Sequence, residues 1–192
     1  MAQERVGSTL SLAVDPGNSS TVYITWADRV GNGDIYTIHV RRSTDRGAHW
    51  SNDLFSQKNA TNTALAIADN GTVGLLYQAL VATGTVSIWE THLVQTKDGF
   101  TTKQDGVLSS APSDVPTAQF LPYLGDYVGL MTVGNEFRGI FSASNTPDKS
   151  HFPEGITYQR VADFTGKTLG DGQGGAVAVS IDPFYFSFPV MQ

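Results

Sequence analysis

The 192-residue sequence predicts an all-β protein built from repeated units of four short antiparallel strands. Three observations lead there. Apolar and polar residues alternate over short runs rich in β-branched and aromatic side chains, and no stretch carries a helical period. The octapeptide Ser43-Thr44-Asp45-Arg46-Gly47-Ala48-His49-Trp50 has the make-up of a turn that joins two strands. Sequence features then recur every 53 to 57 residues, the length that four short strands and their connections require.

The first unit reads as strands at about 8–14, 21–27, 34–43 and 53–57, with Val22, Tyr23, Ile24, Thr25 and Trp26 marking the second of them. In the octapeptide that follows, the Ser43 and Asp45 side chains are suited to bond the turn's backbone. Gly47 supplies a positive φ, and Trp50 is expected to fold back into apolar packing. The second unit reads as strands at about 63–68, 72–79, 85–95 and 105–109. Between its last two strands Thr96-Lys97-Asp98-Gly99-Phe100-Thr101 repeats the octapeptide 53 residues on, read as having lost one spacer residue and the Trp. A third unit is expected at 120–124, 126–132, 136–144 and 156–162. A glycine-dense loop, Asp163 to Gly175, follows, and 176–188 reads as the opening of a fourth unit. Asp15, Asp69, Asp126 and Asp182, spaced by 54, 57 and 56 residues, form a second recurring series, and recurrence points to a structural role.

Composition narrows the possibilities. The apolar fraction of 40%, with 20 Gly and 8 Pro, fits one turn-rich folded domain over 1–192 and not a disordered chain. Net charge is −6 and the 12 Lys and Arg are dispersed, which argues against a nucleic-acid partner. No apolar run approaches the roughly 18–20 residues of a membrane span. The start, Met-Ala-Gln-Glu-Arg, lacks the apolar core of a signal peptide. Without cysteine, disulfides and thiolate metal sites are excluded, which suits a cytoplasmic protein or a bacterial exported one. Three Asn-x-Ser/Thr sequons, at Asn18, Asn59 and Asn70, are what chance gives in a chain rich in these residues.

Ser43, Asp45, Gly47 and Trp50 fit S-x-D-x-G-x-x-W at every fixed position, and in this the chain resembles the sialidase-like family of Asp-box, or BNR-repeat, β-propellers. The segment Trp26 to Tyr36 is similar to a W-x-D-x-R-x-G-N-x-D-I-Y stretch of such proteins, with Arg29 one residue early. Gly125-Asp126-Tyr127 is similar to another. The resemblance implies a propeller whose blades are 8–57, 63–109 and 120–162 with a partial fourth at 176–188: half or so of a six-bladed ring. It also implies that missing blades come from upstream in a longer parent, extracellular or periplasmic, or from self-association with a second copy.

The family binds ligands at the end of the ring opposite its Asp-boxes. By that rule the candidate segments are 27–34, 80–84, 132–136, 58–62, 109–119 and 163–175. Asp28, Arg29 and Asp34 share the first. The two carboxylates there could bind Ca²⁺ or a sugar hydroxyl, or cap turns and pair with Arg29. Sialidases clamp the substrate carboxylate with arginines and use a Tyr nucleophile primed by Glu, together with an Asp acid. On that analogy Arg138 with Glu136, two residues apart on one face of a strand, forms the candidate substrate clamp or else a structural ion pair. Glu90, Tyr127 and Tyr185 are the candidate catalytic residues. Arg41 and Arg42 fall near the hairpin end, and Arg160 near the end of the third unit. The family's Arg-Ile-Pro motif and its acid loop are absent, so the isolated chain is expected to be inactive. The four histidines are dispersed with no metal-ligand spacing, and no G-x-S-x-G is present.

Two functional expectations follow. One is a glycosidase of the sialidase type, competent once its ring is complete. The alternative is a non-catalytic propeller that binds glycans or protein partners.

Overall fold

The structure, a computed structural model, describes residues 10–29, 36–84, 86–115, 124–125, 127–156, 158–159 and 162–192. Among these residues the chain is all strand and turn, with one 3-10 turn at Lys149–His151 and no α-helix. No helix there is long and apolar enough to cross a membrane. The first sheet is an up-and-down meander of β1 (Leu10–Asp15), β2 (Asn18–Arg29), β3 (Tyr36–Ser43) and β4 (Phe55–Lys58). The second repeats it with β5 (Ala60–Ile67), β6 (Val73–Thr83), β7 (Val86–Thr96) and β8 (Gln104–Pro112). Both follow the strands read from alternation, because each strand pairs with its sequence neighbour across a short connection.

The third sheet departs from that pattern. It begins with β9 (Gly129–Val133), β10 (Glu136–Ser144) and β11 (Tyr158–Gln159). A separate two-stranded ribbon follows, β12 (Ala162–Asp163) and β13 (Thr168–Leu169), and then β14 (Ile181–Pro189). The order across the third sheet is β9-β10-β14-β11, and none of the four sheets closes into a barrel. The expected fourth unit at 176–188 is therefore corrected: its residues from Ile181 on form β14 and supply the third strand of the third sheet. Phe141 opposite Phe184, and Gly139 opposite Phe186, give β10 a longer and more aromatic partner than the 156–162 segment offers. Asn145 fastens the base of the excursion, donating from Nδ2 to Asp182 Oδ2 at 3.1 Å and accepting the Ser180 amide at 2.7 Å.

The sheets stack face to face, and alternation decides which side chains meet. Tyr23, Ala27, Ile38 and Val40 of the first sheet pack on Leu65, Ile67, Leu75, Tyr77 and Phe100 of the second. The other face of the second sheet, Ala64, Ala66, Leu76, Leu93 and Leu108, packs on Phe137, Phe141, Phe184 and Phe186 of the third. Every residue of β5 is consequently buried. The small residues of the second junction leave room for the phenyl rings; a Cβ on Gly74 would lie 2.5 Å from the Phe137 ring. Strands β1, β5 and β9 lie side by side as the inner edge of the stack.

Several buried polar side chains find their partners across the junctions. Thr25 and Thr63 share a hydroxyl bond of 2.8 Å between the first and second sheets. Asn62 Nδ2 donates to Gln78 Oε1 at 2.8 Å and to the Gly125 carbonyl at 2.7 Å. Gln78 Nε2 donates in turn to Thr91 Oγ1 at 3.0 Å and to the Ser142 carbonyl of the third sheet at 2.8 Å.

Candidate functional site

The Ser43–Trp50 turn is built as its residues dictate. Ser43 Oγ donates to Asp45 Oδ1 at 2.7 Å and accepts the Gly47 amide at 2.8 Å. Asp45 Oδ1 also accepts the His49 amide at 2.8 Å, while Oδ2 bonds His49 Nδ1 at 2.6 Å. The bonds from the His49 amide and ring, and then from Ser43, hold the Asp45 carboxyl well below the usual carboxylate range. Arg46 and Gly47 both take positive φ, 61° and 89°.

The turn after β7 has the same bonds 53 residues on. Thr96 Oγ1 accepts the Phe100 amide at 3.0 Å and Asp98 Oδ1 accepts the Thr102 amide at 2.9 Å, so Thr96, Asp98, Phe100 and Thr102 stand for Ser43, Asp45, Gly47 and His49. The reading that a spacer residue had been lost is thereby corrected. The turn is complete, and its glycine has moved one place forward to Gly99 (φ 69°), leaving Phe100 at φ 70°. Phe100 is buried against Phe55 of the first sheet, with ring centroids 5.4 Å apart. Trp50 instead lies over Gly47 and remains 37% exposed, contrary to the expected apolar packing, because no sheet stands beside it.

The candidate chemical groups fall in three separate places. In the first sheet Asp28 accepts from Trp26 Nε1 at 3.0 Å and meets His39 Nε2 at 3.2 Å. Arg29 reaches Tyr36 Oη at 3.3 Å and lies over that ring. His39 Nδ1 bonds Asp53 at 2.7 Å, and its ring stacks on Trp26 at 5.1 Å; Arg41 pairs with Asp53 at 2.6 Å. Asp34 and Arg160 lie outside the described residues.

The second place is the matching position of the second sheet. His92 stacks on Tyr77 at 4.9 Å, with Nδ1 3.0 Å from Asp105 and Nε2 3.2 Å from Glu90. Burial works against protonation of His92. The bond to Asp105 and the charges of Asp105 and Glu90 outweigh it and raise the His92 pKa above the ordinary imidazole value. Glu90, a candidate catalytic carboxylate, thus serves as an imidazole partner. The two histidines read as dispersed are equivalents. Their spacing, the same 53 residues as the two turns, was the signal available in the sequence.

The third place gathers three candidates on the outward face of the third sheet. Arg138 Nε and Nη2 donate to Glu136 Oε2 at 3.0 and 2.7 Å. Tyr185 acts on the same guanidinium, and Ser187 acts on Glu136. The Glu136–Arg138 pair does not begin beside the ligand-side loops as expected. Residues 134–135 join β9 to β10, as Pro16 and Gly17 join β1 to β2, and so lie at the end of the stack that carries the two bonded turns. Tyr127, two residues before β9, is 83% exposed.

The recurring Asp series holds for Asp15 and Asp69, which sit at the first turns of their sheets. Asp182 lies within β14 instead, and Asp126 falls outside the described residues. In the glycine-dense loop Asp163 and Asp171 cap turns, Asp171 Oδ1 accepting the Gln173 and Gly175 amides at 2.7 and 2.9 Å. Among the described residues no group of three or more His, Cys, Asp or Glu side chains is arranged to hold a metal ion.

No family model matches the chain, and no curated protein matches it significantly.

Proposed function

We propose that the chain is a three-blade arc of an Asp-box β-propeller, similar to the sialidase-like family, and that it acts as a non-catalytic module binding glycans or protein partners. The observation that carries this reading is the repeated turn. Two Ser/Thr-x-Asp turns with the same side-chain bonds close the third and fourth strands of two stacked meanders, 53 residues apart. The third sheet, with its own inner strand beside β5, continues the same stack. The non-catalytic part rests on the candidate groups being engaged with one another: Glu90 holds His92, and Arg138 is occupied by Glu136.

A fluorogenic sialoside and a glycan array, probed with the same preparation, test this. Binding without turnover supports the reading. Turnover overturns its non-catalytic part, and a blank array at high protein concentration removes the glycan ligand.

The second reading, a sialidase-type glycosidase, draws on one observation: Glu136, Arg138 and Tyr185 lie together on one face. In that case the chain supplemented with its missing blades hydrolyses a sialoside, and Arg138→Ala abolishes the activity.

A further inference from the structure

We infer that the outward face of the first sheet is a docking surface for the outward face of the third sheet of a second copy of this chain, joined head to tail. The inference rests on the repeat reading above and adds the partner and the surface.

The first sheet already contains the half-interface that the second sheet uses. Strand pairing matches Val22 to Val73, Ile24 to Leu75 and Trp26 to Tyr77, since Val22 faces Ser43 and Val73 faces Thr96, the first residues of the two turns. On the inner strands Leu12 and Val14 likewise match Leu65 and Ile67. In the second sheet these five residues are all buried against the first sheet. In the first sheet Leu12 is 59% exposed and Leu10 and Val14 are exposed with it. Trp50 matches Lys103, whose ammonium lies over Phe55 of the preceding sheet at 6.0 Å, so Trp50 is placed to cover the same feature of a sheet that would precede the first.

Even the polar groups on this face are repeats of buried ones. His39 stacked on Trp26 with Asp28 and Asp53 copies His92 stacked on Tyr77 with Glu90 and Asp105, which the internal junction already accommodates. The charges are therefore no obstacle to covering the face.

The same repeat identifies the occupant. A face of this kind receives the forward face of the sheet before it. The forward faces of the first and second sheets are used inside the chain, and among the described residues that of the third is left exposed. It presents Met131 (61% exposed), Val133 and Ile140 around Arg138. Sheets one and three lie on opposite sides of sheet two, so one copy does not satisfy both. Of the nine large apolar side chains exposed among the described residues, seven belong to these two faces, Leu10, Leu12, Val14 and Trp50 on one and Met131, Val133 and Ile140 on the other. Exposure so concentrated marks contact surface, whereas scattered single residues would not. A heterologous contact of this type closes into a ring or extends into a filament.

The chain has no cysteine, so introduced thiols report without background. Leu12→Cys and Ile140→Cys are prepared separately, both at exposed positions, and oxidised alone and mixed. The docking predicts a disulfide-linked dimer in the mixture and none in either variant alone, with wild-type mass by light scattering above the 20.6 kDa monomer. Leu12→Asp weakens the association tenfold or more, an order-of-magnitude expectation for charge placed in an interface core. A wild-type monomer at high micromolar concentration overturns the inference, as does bridging within a single variant, which would mean like faces meeting. A monomer that still scatters X-rays as the stacked sheets do removes only the docking. A scattering profile that departs from that stack removes the repeat reading as well.

Discussion

The turns after β3 and β7 are bonded alike and packed differently. In both, a hydroxyl and a carboxylate collect the same amides, and two consecutive residues take positive φ. One places Phe100 in the junction between sheets, while the other leaves Trp50 half in solvent. The hydrogen bonds thus define the turn, and the neighbouring sheet decides what the turn contributes to stability. A motif of side-chain bonds and its apolar residue are separable parts.

Truncating the apolar residue is the strongest way to break that comparison. Phe100→Ala should cost about 3–5 kcal/mol in denaturant unfolding, as for other buried phenylalanines. Phe100→Gly should cost less than Phe100→Ala, since glycine relieves the roughly 1–2 kcal/mol of left-handed strain at φ 70°. An equal or greater loss with glycine would show that the strain is not there. Next, Thr96→Val removes a buried hydroxyl that accepts the Asp98 and Phe100 amides. The expected loss is about 1–3 kcal/mol.

Gly74→Ala tests whether the second junction is as closely packed as the first. Its Cβ would press on the buried Phe137 ring, and overpacking of this type costs about 1–3 kcal/mol. Trp50→Ala, by contrast, should change monomer stability by about 1 kcal/mol or less, since its face is uncovered. The smallest effect is electrostatic. His92 has a raised folded pKa, so its stabilisation is complete below the unfolded value of about 6.5 and is lost as pH rises through the folded value. Melting temperature should therefore fall across that window in the wild type and less in His92→Gln, with Glu90 and Asp105 still present.

Much of the first two sheets was legible because their information is local. Alternation and turn chemistry locate β1 to β8, each paired with its neighbour, and the Ser43 and Asp45 bonds follow from residue type. The turn at Thr96 was only half legible, because a pattern fixed on glycine hides the fact that Phe100 can occupy the glycine's position. In the third sheet the strand at 136–144 was legible but its pairing was not. Its β10 pairs with a strand that begins 37 residues after Ser144, and no local signal records such a partner. The misplacement of Glu136 and Arg138 at the wrong end of the stack followed from that error. Of the candidate site, the pairing of Glu136 with Arg138 was legible from alternation. Glu90 with His92 was open to the same argument and was missed, and Tyr185 with Arg138 depends on pairing between strands.

That long-range pairing also sets an order of assembly. The first two sheets close through neighbouring hairpins, whose loop-closure cost is small. The third waits for β14 to return across the whole excursion between Ser144 and Ile181. Gln95 then ties down the arriving segment, donating to the Pro189 carbonyl at 2.9 Å and accepting the Met191 amide at 2.7 Å. During synthesis, therefore, Phe137 and Phe141 emerge well before the strand that completes their sheet. In the interval in which those rings lack their β14 partners the chain is exposed to misassembly, and that interval lasts until Ile181–Pro189 has left the ribosome.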